Sequence, residues 1–104
     1  CVKLISVAEA KELVDKGGCQ VIDCRLPDEY ANGHVPGSLN IPRGMLEFKI
    51  EEKIPEHNAQ ILVYCKTGGR SCLSCKALES MGYTNVHSID GGLTAWSKAG
   101  YQLE

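Results

Sequence analysis

The sequence lacks the long hydrophobic runs and the clusters of basic residues that mark membrane and nucleic-acid proteins. No run approaches the roughly 18 apolar residues that a membrane span needs, and no amino-terminal segment resembles a signal peptide. The net charge is -2, and no group of lysines and arginines could follow a phosphate backbone. We therefore expect no binding to membranes or nucleic acid.

Internal repeats, low-complexity tracts and domain linkers are also absent from the sequence. The chain has 104 residues, of which 43% are hydrophobic and 23% are charged, as is usual for one compact domain with its own core. We predict a single domain over residues 1–104. The first residue is Cys1 rather than methionine, which is compatible with a domain cut from a longer protein.

The cysteines do not form the pattern of a disulfide framework or a zinc site. There are six of them, at Cys1, Cys19, Cys24, Cys65, Cys72 and Cys75. Cys72 and Cys75 have the spacing of a redox or zinc motif, but no second such pair and no histidine pair completes a tetrahedral set. On a predicted helix they would pack as small hydrophobes, with a metal or redox role as the alternative. We expect reduced thiols, no metal, no cofactor and a cytoplasmic location.

Hydrophobic periodicity and turn signals predict helices that alternate with strands. The pattern places strands over 20–24, 38–41, 61–64 and 85–89, and helices over 7–16, 27–30, 43–50, 70–81 and 93–98. Such alternation is typical of an α/β fold in which helices cover both faces of a parallel sheet. Ligands of these folds bind at the carboxyl ends of the strands.

One cysteine lies where a predicted strand passes into a predicted helix. Residues 65–71 read Cys-Lys-Thr-Gly-Gly-Arg-Ser and follow an apolar run. Backbone N–H groups and the positive end of the helix dipole meet at such a junction, so Cys65 is predicted to be a nucleophilic thiolate. Gly68 and Gly69 allow the N–H groups to turn inward around one bound anion.

Arg70 is unusual because a cation in the first turn of a helix opposes the helix dipole. An anionic substrate would compensate for it. The alternative is an ordinary Gly-Gly turn in which Cys65 is a buried thiol and Arg70 pairs with a surface carboxylate.

The histidines and one aspartate complete the candidate polar residues. His34 lies in a Pro-Gly turn and His57 in a polar connection, and nothing places them or His87 beside Cys65. We therefore expect no catalytic Cys-His pair. Asp23, at the end of a predicted buried strand, is expected to support the cysteine loop from below.

Several stretches together resemble the rhodanese family of domains. They are Val21-Ile22-Asp23-Cys24-Arg25, Glu29-Tyr30, the run from Gly33 to Pro42, the loop from Tyr64 to Ser71, Gly82-Tyr83, Asn85-Val86, Asp90-Gly91-Gly92 and Ala95-Trp96. The resemblance covers nearly the whole chain and is similar in spacing to a single-domain rhodanese.

The resemblance implies a five-stranded parallel sheet flanked by helices on both faces, and a sulfurtransferase. Cys65 would carry sulfane sulfur as a persulfide from thiosulfate or polysulfide to a thiol, a protein thiol or cyanide. The surrounding loop would consist of Lys66, Thr67, Gly68, Gly69, Arg70 and Ser71. Rhodanese-like polysulfide carriers resemble this chain in having arginines that match Arg25, Arg43 and Arg70, which makes Arg25 and Arg43 possible anion contacts.

The resemblance leaves other functions open. Four residues separate Cys65 from Arg70, whereas related phosphatases have five, so the shorter loop favours sulfur over phosphate or arsenate chemistry. A non-catalytic module that binds a partner or senses oxidants is another alternative, as is an accessory domain of a larger disulfide reductase. Arg25 would have a structural role instead if it pairs with Asp28 or Glu29.

Overall fold

A parallel five-stranded sheet forms the centre of the computed structural model, which describes residues 3–104. The strands are β1 (Leu4–Ile5), β2 (Gln20–Asp23), β3 (Leu39–Asn40), β4 (Ile61–Tyr64) and β5 (Val86–Ile89). Their order across the sheet is β1-β5-β4-β2-β3, and every pair of neighbours is parallel. Cys1 lies outside the described residues.

Five α-helices connect the strands within this part of the chain. They are α1 (Val7–Lys16), α2 (Pro27–Ala31), α3 (Leu46–Lys53), α4 (Gly69–Ser80) and α5 (Gly92–Lys98), with a 3-10 turn over Arg43–Met45 before α3. None of the helices between residues 3 and 104 combines the length and the hydrophobicity needed to cross a bilayer.

The predicted elements agree with the structure where local signals are strong. Helix α1 has the predicted bounds because Ser6 and Glu9 form a capping box at its start and Gly17, at φ 75°, ends it in the left-handed conformation. Strand β4 also has its predicted bounds. The helix predicted over 43–50 is instead divided, since the chain makes the 3-10 turn first and continues as α3 to Lys53.

The sequence pattern missed β1 at the edge of the sheet. This strand has two residues, and only Ile5 is buried, so no periodicity reveals it. Its pairing partner, β5, lies at the other end of the chain. With β1 included, the five-stranded sheet implied by the family resemblance is confirmed.

Two hydrophobic clusters lie on opposite faces of the sheet. The first joins Ile22 and Val63 to side chains from α3 and α4. The second joins Val21 and Leu62 to side chains from α1 and α5, including Trp96. Because successive residues of a strand point to opposite faces, burial on both faces explains the nearly continuous apolar run of β4.

Neighbouring strands bring two segments of the site to the same edge. Strands β2 and β4 are paired in register, with Asp23 opposite Tyr64. The next residues are Cys24 and Cys65, and the ladder continues there because the Cys24 N–H donates to the Tyr64 carbonyl at 3.1 Å. The carboxyl edge of the sheet therefore begins with two adjacent cysteines.

Candidate active site

Cys65 lies at the predicted strand-to-helix junction, between β4 and the first turn of α4. Its side chain is buried, with 1% of the residue exposed. The Gly68 N–H donates to Cys65 Sγ at 3.0 Å, and the Ser71 hydroxyl lies 3.7 Å from the same sulfur. Polar groups of the loop therefore surround the sulfur, as a thiolate requires.

The surroundings of Cys65 lower its pKa to about 4. The largest cause is a hydrogen bond from the neighbouring Cys24 thiol, and the Ser71 and Gly68 groups add to it against the opposing effect of burial. A thiol with this pKa is almost wholly ionised at neutral pH. The loop therefore presents a nucleophile without needing a separate base.

The loop conformation depends on glycine at Gly68. Its φ angle is +124°, a conformation that side chains rarely adopt, and this conformation places its N–H against Cys65 Sγ. Gly69 has an ordinary φ and open space around it, and it begins α4. The cradle of N–H groups predicted from the two glycines therefore rests mainly on Gly68.

The loop is also tied to α5. The Leu93 N–H donates to the Cys65 carbonyl at 2.9 Å, and the Thr94 N–H donates to the Lys66 carbonyl at 3.0 Å. Gly92 permits this approach, since a Cβ on it would lie 2.4 Å from the Cys65 carbonyl oxygen. The Asp-Gly-Gly sequence before α5 is the signal for this support.

A buried pair of serines holds the start of α4 against the sheet. Ser71 and Ser88 are both fully buried, with their hydroxyl oxygens 2.7 Å apart. Ser71 also donates to the Gly68 carbonyl at 3.0 Å. Ser88 was not predicted as a site residue, although a serine inside a buried strand is a visible signal.

Arg25 has a structural partner that differs from the two expected carboxylates. Its guanidinium lies against Asp23, with Nη2 2.6 Å from Oδ2, rather than against Asp28 or Glu29. Nη2 also donates to the Gly33 carbonyl at 2.7 Å. Asp23 is fully buried as expected, but it holds Arg25 and not the cysteine loop directly. The pairing predicted for Arg25 was therefore wrong in its partner.

Arg70 pairs with a carboxylate in the structure. Its two terminal nitrogens lie 2.9 and 3.1 Å from the two oxygens of Glu29 in α2. This pair, together with the Leu26 N–H, lowers the pKa of Glu29 to about 2. Glu29 thus compensates for the cation in the first turn of α4, a role that the sequence assigned first to a substrate anion.

Arg43 lies on the 3-10 turn and has no hydrogen bond with the cysteine loop in the described part of the chain. Its Nη1 is 3.2 Å from Glu47, whereas its buried Nε has no hydrogen-bond partner among residues 3–104. Its backbone N–H donates to the Cys24 carbonyl at 3.2 Å. The contact links Arg43 to the site only through the main chain.

A cavity of about 490 Å³ opens beside the loop. Arg25, Lys66 and Lys98 contribute positive charge to its walls, and Glu29 contributes negative charge. Leu93 and the neighbouring part of α5 form much of the remaining surface. The cavity touches the loop at Lys66, next in sequence to Cys65, and its basic residues would favour a small anion there.

The remaining candidate residues have contacts outside the loop. His34 stacks on Tyr30 with ring centroids 3.8 Å apart, and His57 Nε2 is 2.6 Å from Glu51. Cys75 is buried in the core, as the packing interpretation predicted, while Cys72 is half-buried beside Ser88. Residues 3–104 contain no group of three acidic, histidine or cysteine residues arranged to hold a metal ion.

The fold and the loop define a class of α/β enzymes that react through a thiolate at the carboxyl edge of a parallel sheet. A family model described as the rhodanese-like domain matches residues 6–99. The thiosulfate sulfurtransferase GlpE of Pseudoalteromonas translucida is 36% identical over 97 residues, which make up 93% of this chain and 90% of that protein. The chain belongs to the rhodanese-like domain family, and it is a sulfurtransferase of the rhodanese type.

Solved structures agree with the assignment of the fold. A Rhodopseudomonas palustris protein, described as of unknown function and a possible tyrosine phosphatase, superposes with a TM-score of 0.92 and 34% identity over 99% of this chain and 85% of that one. The thiosulfate sulfurtransferase of Pseudomonas aeruginosa gives a TM-score of 0.92 at 27% identity, over 99% of this chain and 20% of that larger chain.

Proposed function

We propose that Cys65 carries sulfane sulfur from thiosulfate to a thiol acceptor. The observation that carries this proposal is the contact of the Gly68 N–H with Cys65 Sγ at 3.0 Å in a site where the thiol pKa is about 4. A thiolate held in this way is ready to attack sulfur at neutral pH. The names of the relatives favour thiosulfate as the donor.

The first step moves one sulfur atom onto the enzyme. The Cys65 thiolate attacks the outer sulfur of thiosulfate, a sulfur–sulfur bond forms, and the sulfur–sulfur bond of thiosulfate breaks to release sulfite. Charge is conserved, since a thiolate and a dianion become a persulfide anion and a dianion. No proton moves in this step, so no general base is required.

The persulfide anion occupies the environment that stabilised the thiolate. The Gly68 N–H and the Ser71 hydroxyl lie beside the sulfur, and the amino end of α4 adds a favourable field. An acceptor thiolate then attacks the outer sulfur and restores the Cys65 thiolate. Cyanide would serve as the acceptor in an assay, and a protein thiol is a further acceptor class.

Lys66 and Lys98 support the entry of an anionic donor through the adjacent cavity. Thr67 and Gly69 complete the loop that closes the site. Arg25 and Arg43 remain possible anion contacts, but the Nε and Nη2 donors of Arg25 are occupied by Asp23 and Gly33. Polysulfide is therefore an alternative donor with less support from the described contacts than thiosulfate has.

Phosphatase activity is the second candidate function because of the description of the Rhodopseudomonas palustris relative. Two observations favour sulfur transfer. The loop has only four residues between Cys65 and Arg70, and Glu29 engages both terminal nitrogens of the arginine that a phosphate would need. A bidentate carboxylate occupies the same donors that a phosphate oxygen pair would use.

The test is the mass of the reduced protein immediately after mixing with thiosulfate. We expect a gain of one sulfur atom that cyanide removes, and no gain in Cys65→Ser. An unchanged mass would refute the proposal, and hydrolysis of p-nitrophenyl phosphate by the wild type would favour phosphatase chemistry. The unmodified mass of Cys65→Ser would show that no other cysteine carries the sulfur.

We further infer that the protein works where thiols are kept reduced, as in a cytoplasm. The five cysteines within residues 3–104 are all free thiols, and two of them are neighbours at the site.

A further inference from the structure

Cys24 and Cys65 lie side by side on one face of the sheet. Ile22 of β2 pairs with Val63 of β4, and both side chains belong to the same hydrophobic cluster. Cys24 follows Ile22 by two residues, and Cys65 follows Val63 by two residues. Both cysteines belong to the same cluster. Because side chains two apart point to the same face, the two thiols are a neighbouring pair.

The distance between the two strands suits a disulfide. Adjacent strands lie about 4.8 Å apart, and disulfides join Cα atoms that are about 4.4–6.8 Å apart. The Cys24 N–H bond to Tyr64, at 3.1 Å, keeps this strand spacing up to the two cysteines. Both cysteines are buried, with 1% of each residue exposed, so bulk solvent does not surround either of them.

The two thiols differ in ionisation. The hydrogen bond with Cys65 is the largest cause that raises the pKa of Cys24 well above its ordinary range, while the same contact lowers that of Cys65. At neutral pH the pair therefore holds one proton, on Cys24. The Cys24 Sγ also lies 3.4 Å from the Tyr64 carbonyl, which keeps this thiol at the neighbouring strand end.

We propose that Cys24 is a second reactive residue, which attacks the inner sulfur of the Cys65 persulfide and expels hydrosulfide. The proposal rests on the proposed function, which supplies the persulfide. The sulfur–sulfur bond between Cys24 and Cys65 forms as the bond from Cys65 to the outer sulfur breaks. The proton of Cys24 passes to the departing sulfur, so a thiol and a persulfide anion become a disulfide and a hydrosulfide anion.

The electrons balance without another reagent. Counted from two thiols and one sulfane sulfur, each cysteine gives up one electron and the sulfane sulfur takes up two. Gly68 and Ser71 contact Sγ from the loop, whereas Cys24 lies at the end of the neighbouring strand, in the same buried cluster. The outer sulfur can therefore leave into the loop while Cys24 approaches from the sheet.

The consequence is a second activity, the release of sulfide in the absence of an acceptor thiol. Each chain performs this reaction once and then stops with Cys65 in a disulfide. An external thiol must reduce the disulfide before Cys65 accepts sulfur again. When acceptor is plentiful, transfer removes the outer sulfur before Cys24 reacts.

The experiment mixes fully reduced protein with thiosulfate alone and follows both the protein mass and the sulfide released. The wild type and Cys19→Ser should first gain one sulfur atom. They should then fall to two hydrogens below the reduced mass, yield a peptide linked through Cys24 and Cys65, and release up to one sulfide per chain. Cys19 is a matched control because it precedes β2 at the opposite end of the strand. Cys24→Ser should keep its persulfide and release no sulfide.

The outcomes separate this proposal from the one on which it rests. If Cys24→Ser and the wild type both keep a persulfide and neither releases sulfide, the role of Cys24 is refuted while Cys65 transfer stands. If neither folded protein ever gains sulfur, both proposals fail. Should Cys24→Ser not fold, Cys24→Ala replaces it, and the linked peptide of the wild type still decides.

Discussion

Arg70 and Glu29 form a two-pronged ion pair between the first turn of α4 and the short helix α2, with nitrogen–oxygen distances of 2.9 and 3.1 Å. The pair fastens α2 beside the cysteine loop. It also places a negative charge near a site that is expected to receive anions. Its contribution can be measured through its pH dependence.

Stability should fall in acid in part through Glu29. Its pKa is about 2 in the folded protein, below the ordinary value of 4.5, so its contribution is complete above pH 4.5 and is lost as pH falls toward 2. The side chains are 32% and 40% exposed, so solvent screening limits the loss to less than about 1 kcal/mol. Urea unfolding of the wild type and Glu29→Gln across this range measures it. A constant difference between them would contradict the assignment.

Alkylation of Cys65 should show a low pKa. The rate with iodoacetamide should stay near its plateau as pH falls from 8 and should decline only toward pH 4, the pKa of Cys65. Cys65→Ser identifies labelling at other cysteines.

Removing the hydrogen bond from Cys24 should raise the pH midpoint of Cys65 alkylation. Cys24→Ala deletes the donor that contributes most to the low pKa, whereas Cys24→Ser keeps a hydroxyl there. We expect the midpoint to move up in the first variant and less in the second. If the alkylation midpoint of the wild type is about 8.5, as in free cysteine, the loop does not stabilise the thiolate.

Gly92→Ala should damage both stability and sulfur transfer. The new Cβ would lie 2.4 Å from the Cys65 carbonyl oxygen, at a φ of +55°, so the loop or α5 must move. We expect a loss of roughly 1–3 kcal/mol in the free energy of unfolding and a roughly ten- to hundredfold loss of turnover. Gly18→Ala is the control, since its φ is ordinary and its surroundings are open. Equal activity of both variants would show that α5 does not position the loop.

Asp23→Asn should be strongly destabilising. Asp23 is fully buried and Arg25 is 5% exposed, so the change leaves a buried guanidinium without its counter-charge. The expected cost is about 3–5 kcal/mol, measured by urea unfolding. The exposed pair of Lys11 and Asp15 offers the comparison, and Asp15→Asn should cost less than about 1 kcal/mol. Similar losses in the two variants would mean that burial does not decide the cost.

The sequence predicts best those features that are fixed by neighbours in the chain. The capping residues Ser6 and Glu9 and the end at Gly17 define α1 locally, and the apolar run before Cys65 defines β4. The position of Cys65 at a strand-to-helix junction follows from the same local signals. The position of the cysteine loop between a strand and a helix was therefore predicted correctly from its own residues.

The features that were missed depend on contacts between distant parts of the chain. Strand β1 exists because Leu4 pairs with Ser88. The partner of Arg70 lies 41 residues earlier, and several carboxylates could have been chosen on local grounds. The Cys24–Cys65 pair needed the register of β2 and β4, although two of the predicted strands, over 20–24 and 61–64, end at a cysteine or immediately before one.

Because Leu93 and Thr94 donate hydrogen bonds to the cysteine loop, the position of the loop depends on α5, a helix of seven residues. A helix of that length has little stability of its own. The buried residues of α5 are Gly92 and Trp96, whereas every residue of β4 is buried, so warming should loosen α5 before the strands separate. Activity should consequently be lost at a lower temperature than that at which the sheet unfolds. The stability of α5, rather than that of the sheet, would then set the highest temperature at which the enzyme works.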